Sequence, residues 1–175
     1  MACDSEQRVF LREDLAASTE ATWRIVYHYP PYVSGDYEVP QMRALGPDLE
    51  SGGVDLVFNS HTIVYERSHP IRDGRLDVAD GIPYIIAGGA GAKPDWFHPK
   101  RAWHTAQAQA LPHFVHVSIA GPTLELQAVD MDGRVRLAAS EEVVTLKDRR
   151  RPRQLIASRC VSEILVDHLV WPIVD

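Results

Sequence analysis

The chain has 175 residues, 45% of them hydrophobic and 24% charged, with a net charge of −6 at neutral pH. That length and mixture predict an ordinary globular domain with a core of its own, and the acidic balance argues against nucleic acid as a partner. Cys3 and Cys160 are the two cysteines and show no CxxC spacing, which argues against a disulfide framework and a cysteine-based zinc site. No run of about 18 apolar residues predicts a membrane span, and the first residues, MACDSEQRVF, lack the apolar stretch of a signal peptide. Nothing here assigns a compartment.

In chain order, residues 5–17 (SEQRVFLREDLAA) predict a helix, with Ser5 as its cap, Glu6 in its first turn and Val9, Phe10 and Leu15 near helical spacing. Trp23–Tyr27 reads as a buried strand that runs into His28 and is ended by Pro30 and Pro31. Residues 40–50 predict a short helix started by Pro40 and disturbed by Pro47, and residues 54–58 the next strand. Alternating helix and strand is the grammar of an α/β sheet. Beyond residue 63 the pattern turns to strands, at 63–67, 82–87, 113–119, 123–129, 134–138 and 142–147, with turn signals at Asp73-Gly74 and Asp132-Gly133. Residues 88–112 read as one long loop, the kind that often rims a binding site. Residues 154–171 predict a final helix.

Eight histidines make metal chemistry worth testing. Two share a placement: His28 follows the strand through Ile25–Tyr27, and His61 follows the strand through Val54–Phe58. Residues beyond the carboxyl ends of strands in an α/β sheet converge on one edge, where ligands bind. Neutral imidazole is the commonest nitrogen ligand for zinc, iron or manganese. Spacing alone leaves open that each is a hydrogen-bonded loop residue and nothing more.

Longer segments carry a resemblance. WRIVYHYPPYVSG is similar to the segment of calcineurin-like metallophosphoesterases, purple acid phosphatases above all, in which a Trp strand leads to His-x-Pro-x-Tyr. GVDLVFNSHTIVYERSHPI resembles their Gly-Val-Asp-Leu-Val block with Gly-His-x-His and Tyr-Glu-Arg. GIPYIIAGGAGA and HFVHVSIAGPTLELQAVDMDGRV are similar to the strand, glycine turn and hairpin that follow, and EQRVFLREDLAAS to the helix before the Trp strand. The resemblance covers roughly residues 5–147, in family order. It implies two metal ions about 3.5–4 Å apart that clamp a phosphate ester and activate water. It also implies that His28 and His61 ligate the same ion.

The departures are equally specific. The second histidine of Gly-His-x-His falls on Ile63, which has no lone pair, and Ser60 stands at the motif's glycine. The Trp23-to-His28 spacing is one residue short of the family's, which predicts a register change in that strand. No Gly-Asp step occurs upstream of His28 and no Gly-Asn-His-Glu segment occurs anywhere, so the aspartate that bridges the metals has no counterpart upstream of His28. At most one Fe, Zn or Mn ion is expected from this chain alone.

Other motifs have quieter readings. Gly88–Lys93 lacks the spacing of a phosphate loop and is expected to be a glycine turn. Tyr65, Glu66 and Arg67 are expected to make internal hydrogen bonds and an ion pair, with support of the metal ligands from behind as a further role. His98 and His104, in the long loop with Trp96 and Trp103, lie where the relatives border the substrate, or belong to a loop anchored by its tryptophans. His113 and His116 are expected to be structural. The basic run Lys147–Arg153 reads as a solvated linker.

The expected fold is therefore α/β: the C-terminal half of a metallophosphoesterase β-sandwich flanked by helices, then a β-rich segment and a helical tail. Residues 1–147 would form the partial domain and 148–175 the linker and tail. The expected function is phosphate ester hydrolysis by resemblance, in a truncated chain that is weak or inactive alone. The alternatives are a non-catalytic binding module and one half of a split enzyme completed by a partner chain. A half-sandwich should leave a sheet edge open to self-association.

Overall fold

The computed structural model describes residues 5–37, 39–98, 100–134 and the backbone of 144–146. The predicted tail helix, the basic run, most of the 134–138 strand and both cysteines lie outside the described residues.

Helix α1 spans Glu6–Ala17 and starts as its sequence predicts, with the Ser5 side chain accepting a hydrogen bond from the Arg8 amide at 3.4 Å. Its inward face is not the one that periodicity suggests. Arg8, Leu11 and Leu15 face the protein, whereas Phe10 is 67% exposed and Val9 lies beside it at the surface. The stripe is set by charge as well as by leucine. Arg8 and Arg12 both bond the Asp48 carboxylate, across from α1 in helix α2 (Gly46–Ser51). Desolvation pushes that carboxyl up, but the two guanidinium hydrogen bonds and charges outweigh it and hold Asp48 below the usual carboxylate range. A 3₁₀ helix over Pro40–Leu45 precedes α2, so Pro47 falls in the first turn of α2, where the missing N–H costs nothing.

Among the described residues ten strands follow in chain order: β1 (Ile25–His28), β2 (Leu56–Asn59), β3 (Tyr65–Ser68), β4 (Ile71–Arg72), β5 (Arg75–Leu76), β6 (Tyr84–Ala87), β7 (Thr105–Gln109), β8 (His113–Ala120), β9 (Thr123–Asp130) and β10 (Val144–Leu146). Five form a mixed sheet in the order β1-β2-β6-β3-β7. Its first three strands are parallel, and β3 runs antiparallel to both of its neighbours. β4 and β5 pair around Asp73-Gly74, both at positive φ, as the Asp-Gly signal predicts. β10-β9-β8 form a second, antiparallel sheet.

Strand alternation separates two cores. Val57 and Tyr84 face the helical side with Leu15, Leu45 and Leu49, while Leu56, Phe58 and Ile85 face Leu124, Leu126 and Ala128 of the second sheet. Helices, mixed sheet and antiparallel sheet thus stack as three layers, a mixed α/β architecture as expected.

Two local expectations are corrected. β1 and β2 pair without interruption from Ile25↔Leu56 to His28↔Asn59, so no register change occurs there; the irregularity lies between Arg67 and Ser68, where β3 meets β7. β7 itself lies within the stretch read as loop. Its sequence, TAQAQ, alternates alanine with polar residues, so no apolar period marks it; pairing with β3 makes it a strand, with Thr105 and Gln107 buried.

Candidate functional site

β1 and β2 deliver His28 and His61 to one edge of the mixed sheet. His28 is the last residue of β1 and faces Asn59 across the parallel pair, and His61 follows Asn59 by two positions. The structure thus brings the two histidines to neighbouring strand ends.

The His28 ring is partly buried, and burial pushes its pKa below the ordinary imidazole value, opposed by a hydrogen bond with the Pro30 backbone. The Asn59 side-chain nitrogen lies 3.2 Å from both ring nitrogens. A nitrogen equidistant from both sits against the ring's face, not on either in-plane lone pair. The Asn59 amide meanwhile donates to the His28 and Phe58 carbonyls at 3.2 and 3.0 Å. One ring nitrogen held by a backbone carbonyl, with the other left for a ligand, is the usual setting of a metal-binding histidine.

His61 has a left-handed backbone, φ 72°, which costs a non-glycine residue about 1 kcal/mol or more. Its Nδ1 is buried and has no hydrogen-bond partner among the described residues. Tyr29 stands edge-on to its ring at 5.0 Å between centroids, and Tyr37 is tilted against it at 4.9 Å. Ile63, at the family's second histidine, is bound through its backbone: its N–H donates to Asp95 Oδ2 at 2.8 Å and its carbonyl accepts from the Asp95 N–H at 3.1 Å. The position serves to pin the 88–98 segment.

Glu66 lies behind this edge at 2% exposure. Its carboxylate accepts from the Gly35 N–H at 2.7 Å and from the Thr105 hydroxyl, and stands 3.6 Å from His104 Nδ1. Arg67 donates to Gln107 at 3.3 Å. Burial pushes the Tyr65 hydroxyl pKa up, against the charge and hydrogen bond of Arg67. The three residues tie loop 32–37 and β7 to β3. His104 is 1% exposed, with its ring edge-on to Trp103, and so belongs to the packing behind the loop, not to its rim. His98 is exposed, its Nδ1 accepting from the Lys100 N–H at 3.3 Å. His113 is buried and His116 exposed on β8.

The glycine turn is required by close approach. A Cβ on Gly88 would lie 1.9 Å from the Thr62 carbonyl oxygen, and one on Gly89 2.2 Å from the His113 ring. Asn59, Tyr29, Tyr37 and Asp95 were not singled out from the sequence. Asn59 had a signal, a polar residue that closes an apolar strand beside a candidate ligand; Tyr37 and Asp95 reach the site only through loop paths that no spacing encodes.

Tested against a metal ion, two imidazoles with nitrogen to offer are a suitable start. Among the described residues, however, no group of three or more His, Cys, Asp or Glu side chains is placed to hold one. The histidines fit as part of a coordination sphere, and the described residues do not complete it.

Comparison with known proteins bears on the family likeness and the fold. No protein-family model matches the chain. Purple acid phosphatase 18 of Arabidopsis thaliana is 30% identical over 119 residues, 62% of this chain and 27% of the relative. Purple acid phosphatase 15 of the same plant is 34% identical over 94 residues, 50% of this chain and 18% of the relative. The chain thus spans about a quarter or less of the curated relatives it matches. Among solved structures, purple acid phosphatase PPD1 from yellow lupin (Lupinus luteus) seeds superposes with a TM-score of 0.74 at 21% identity, covering 89% of this chain and 32% of that one. GAP50, the anchor in the inner membrane complex of Plasmodium, gives 0.62 at 17% identity, covering 81% and 42%. PhoD gives 0.56 at 11% identity, covering 82% and 32%. In sequence and in fold, the chain is purple acid phosphatase-like over part of the length of those proteins.

Proposed function

We propose that the β1–β2 edge of this chain is the histidine portion of a metal-dependent phosphoesterase site, and that the chain alone hydrolyses phosphate esters weakly or not at all. The observation that carries this is the pairing of His28 and His61 at neighbouring parallel strand ends, the buried Nδ1 of His61 lacking a hydrogen-bond partner among the described residues. The phosphatase names of the curated relatives support the substrate class. An Fe, Zn or Mn ion bound there would polarise a phosphate ester and lower the pKa of bound water toward about 7.

The chain's own residues supply the holding. The Pro30 backbone bond orients the His28 ring, Asn59 fixes its face, and Tyr29 and Tyr37 fix the ring of His61. Ile63 removes the ligand that a second ion would need, so one ion is the expected maximum. A partner chain that contributes carboxylates would complete the site as a split enzyme.

A second reading, a non-catalytic binding module, is favoured by one observation. The Ile63 position is committed to a backbone clasp with Asp95, which is a structural use of a catalytic motif. The fold also occurs in GAP50, which is described as an anchor.

Elemental analysis of the purified chain, after exposure to zinc, manganese and iron and removal of excess, tests the proposal. One tightly held ion, lost in His28→Ala and in His61→Ala, is expected. Two ions would restore a full dinuclear site and overturn the weak-activity reading. None would leave the binding module standing.

A further inference from the structure

His113, the first residue of β8, is 6% exposed and sits where the second sheet, the mixed sheet and the glycine turn meet. Its N–H donates to the Gly89 carbonyl at 3.3 Å, and its ring stands edge-on to Tyr65 of β3 at 5.5 Å between centroids. Its Nδ1 lies 2.9 Å from the Leu111 carbonyl, which can only accept, so the neutral ring carries its proton on Nδ1 and leaves Nε2 bare. Nε2 is buried with no hydrogen-bond partner among the described residues. A second proton therefore enters at Nε2, where it adds a charge and a donor with no acceptor in place. The ring has no slack toward Gly89, because it fills the space that a Cβ there would need.

The surrounding groups give little relief. Burial raises the Tyr65 hydroxyl pKa, and the charge that acts on that hydroxyl is the cation Arg67. Asp130, opposite His113 on β9, has its Oδ1 committed to the Asp132 and Arg134 amides at 2.9 Å each. Tyr84, the titratable residue of β6, faces the helical core instead. β7, residues 88–92 and residues 110–112 carry no titratable side chain. The turn that His113 holds also begins the segment clasped to the His61 loop: the Gly88 N–H donates to the Val64 carbonyl at 3.1 Å, and Asp95 bonds Ile63 through both its N–H and its carboxylate.

We infer that His113 is an acid-sensitive latch on the glycine turn. Neutral, its ring holds Gly89, and with it the 88–98 segment, against residues 62–64. Protonated at Nε2 by one proton from solvent, the ring leaves the junction, and the segment opens while the two sheets stay folded. The latch holds whether or not the His61 edge takes a metal ion, so it does not rest on the phosphoesterase reading.

Amide hydrogen exchange of the full chain, followed by NMR from about pH 7.5 to about pH 5 and corrected for the intrinsic pH dependence of exchange, tests it. Protection of the Gly88 and Asp95 amides is expected to fall below about pH 6.5, by up to about tenfold per pH unit, while the amides of β9 keep theirs. The fall should follow the titration of the His113 ring protons in the same samples. His113→Gln keeps a donor for Leu111 and takes up no proton, so its protection should stay level across the range. Gly89→Ala crowds the ring at every pH and should lower protection of the same two amides without pH dependence. A fall that survives His113→Gln, level protection in the unaltered chain, or loss of β9 protection in step with Gly88 would each overturn the latch. Should His113→Gln not fold, a mismatch between the ring titration and the fall at Gly88 overturns it on the unaltered chain alone.

Discussion

His61 concentrates the candidate site's features in one residue: a left-handed backbone, a buried nitrogen without a hydrogen-bond partner among the described residues and two tyrosines against its ring. Strain at such a position persists when surrounding structure enforces it and function uses it. His61→Gly removes the backbone penalty that His61→Ala keeps, so the glycine variant should be about 1 kcal/mol more stable than the alanine variant in urea unfolding. Under the proposed metal site, both should lose ion binding equally. An alanine variant as stable as the glycine variant would mean that the residue relaxes out of the left-handed region. His113 offers a second residue-scale test. Burial lowers its pKa, opposed in part by the Leu111 carbonyl, so the folded protein takes up its proton later than the unfolded chain does. The unfolded value is about 6.5. The contribution to stability is therefore full above about pH 6.5 and is lost as pH falls through the depressed folded value. Melting temperature should drop on acidification below that point, and His113→Gln should flatten part of the slope. An unchanged slope would place the titration elsewhere, with His28, lowered by the same cause, the next residue to vary.

At the scale of elements, β3 is the post to which the site loops are tied. Glu66 bonds Gly35 in the loop that carries Tyr37 and Thr105 at the start of β7, and faces His104. Glu66→Ala would leave the Gly35 N–H and the Thr105 hydroxyl buried without their acceptor. It should cost about 3 kcal/mol in denaturant unfolding, with Glu66→Gln costing less because an acceptor oxygen remains. The same variant should loosen Tyr37 from His61, seen as a narrowing of the aromatic proton shift dispersion. The glycine turn makes a sterically harsher demand. Gly88→Ala drives a methyl into the Thr62 carbonyl and should destabilise the 60–64 loop along with the fold, whereas Gly74→Ala, with open space around it, should cost only its left-handed backbone.

At the scale of the molecule, β1 stands at one end of the five-stranded order, and among the described residues its outer edge has no strand partner. Tyr27 on that strand is 68% exposed. Unpaired edges invite pairing with another chain. Self-association through β1 is therefore expected, as a sedimentation coefficient that rises with concentration, and Tyr27→Lys should reduce it by placing a charge on the edge. A monodisperse monomer at all concentrations would show that this edge is protected. Among the described residues, no helix is long and apolar enough to cross a membrane.

The sequence by itself determined the cap of α1 at Ser5, the Asp73-Gly74 hairpin, the strands that lead into His28 and toward His61, and the family likeness, because each depends on local propensity, turn chemistry or a contiguous motif. It also shows that Ile63, which the resemblance aligns with a ligating histidine, carries no lone pair, since side-chain chemistry needs no coordinates. Tertiary structure alone decided the rest. β7 exists because β3 pairs with it, α1 turns Arg8 inward because Asp48 lies across from it, and His104 is buried because Glu66 and Trp103 close over it. Tyr29, Tyr37 and Asp95 surround the His61 edge because the connection after β1 and the one after β6 both meet the His61 loop there. Partners brought together across long stretches of chain leave no period or spacing in the sequence, and only packing against a common sheet edge makes them neighbours.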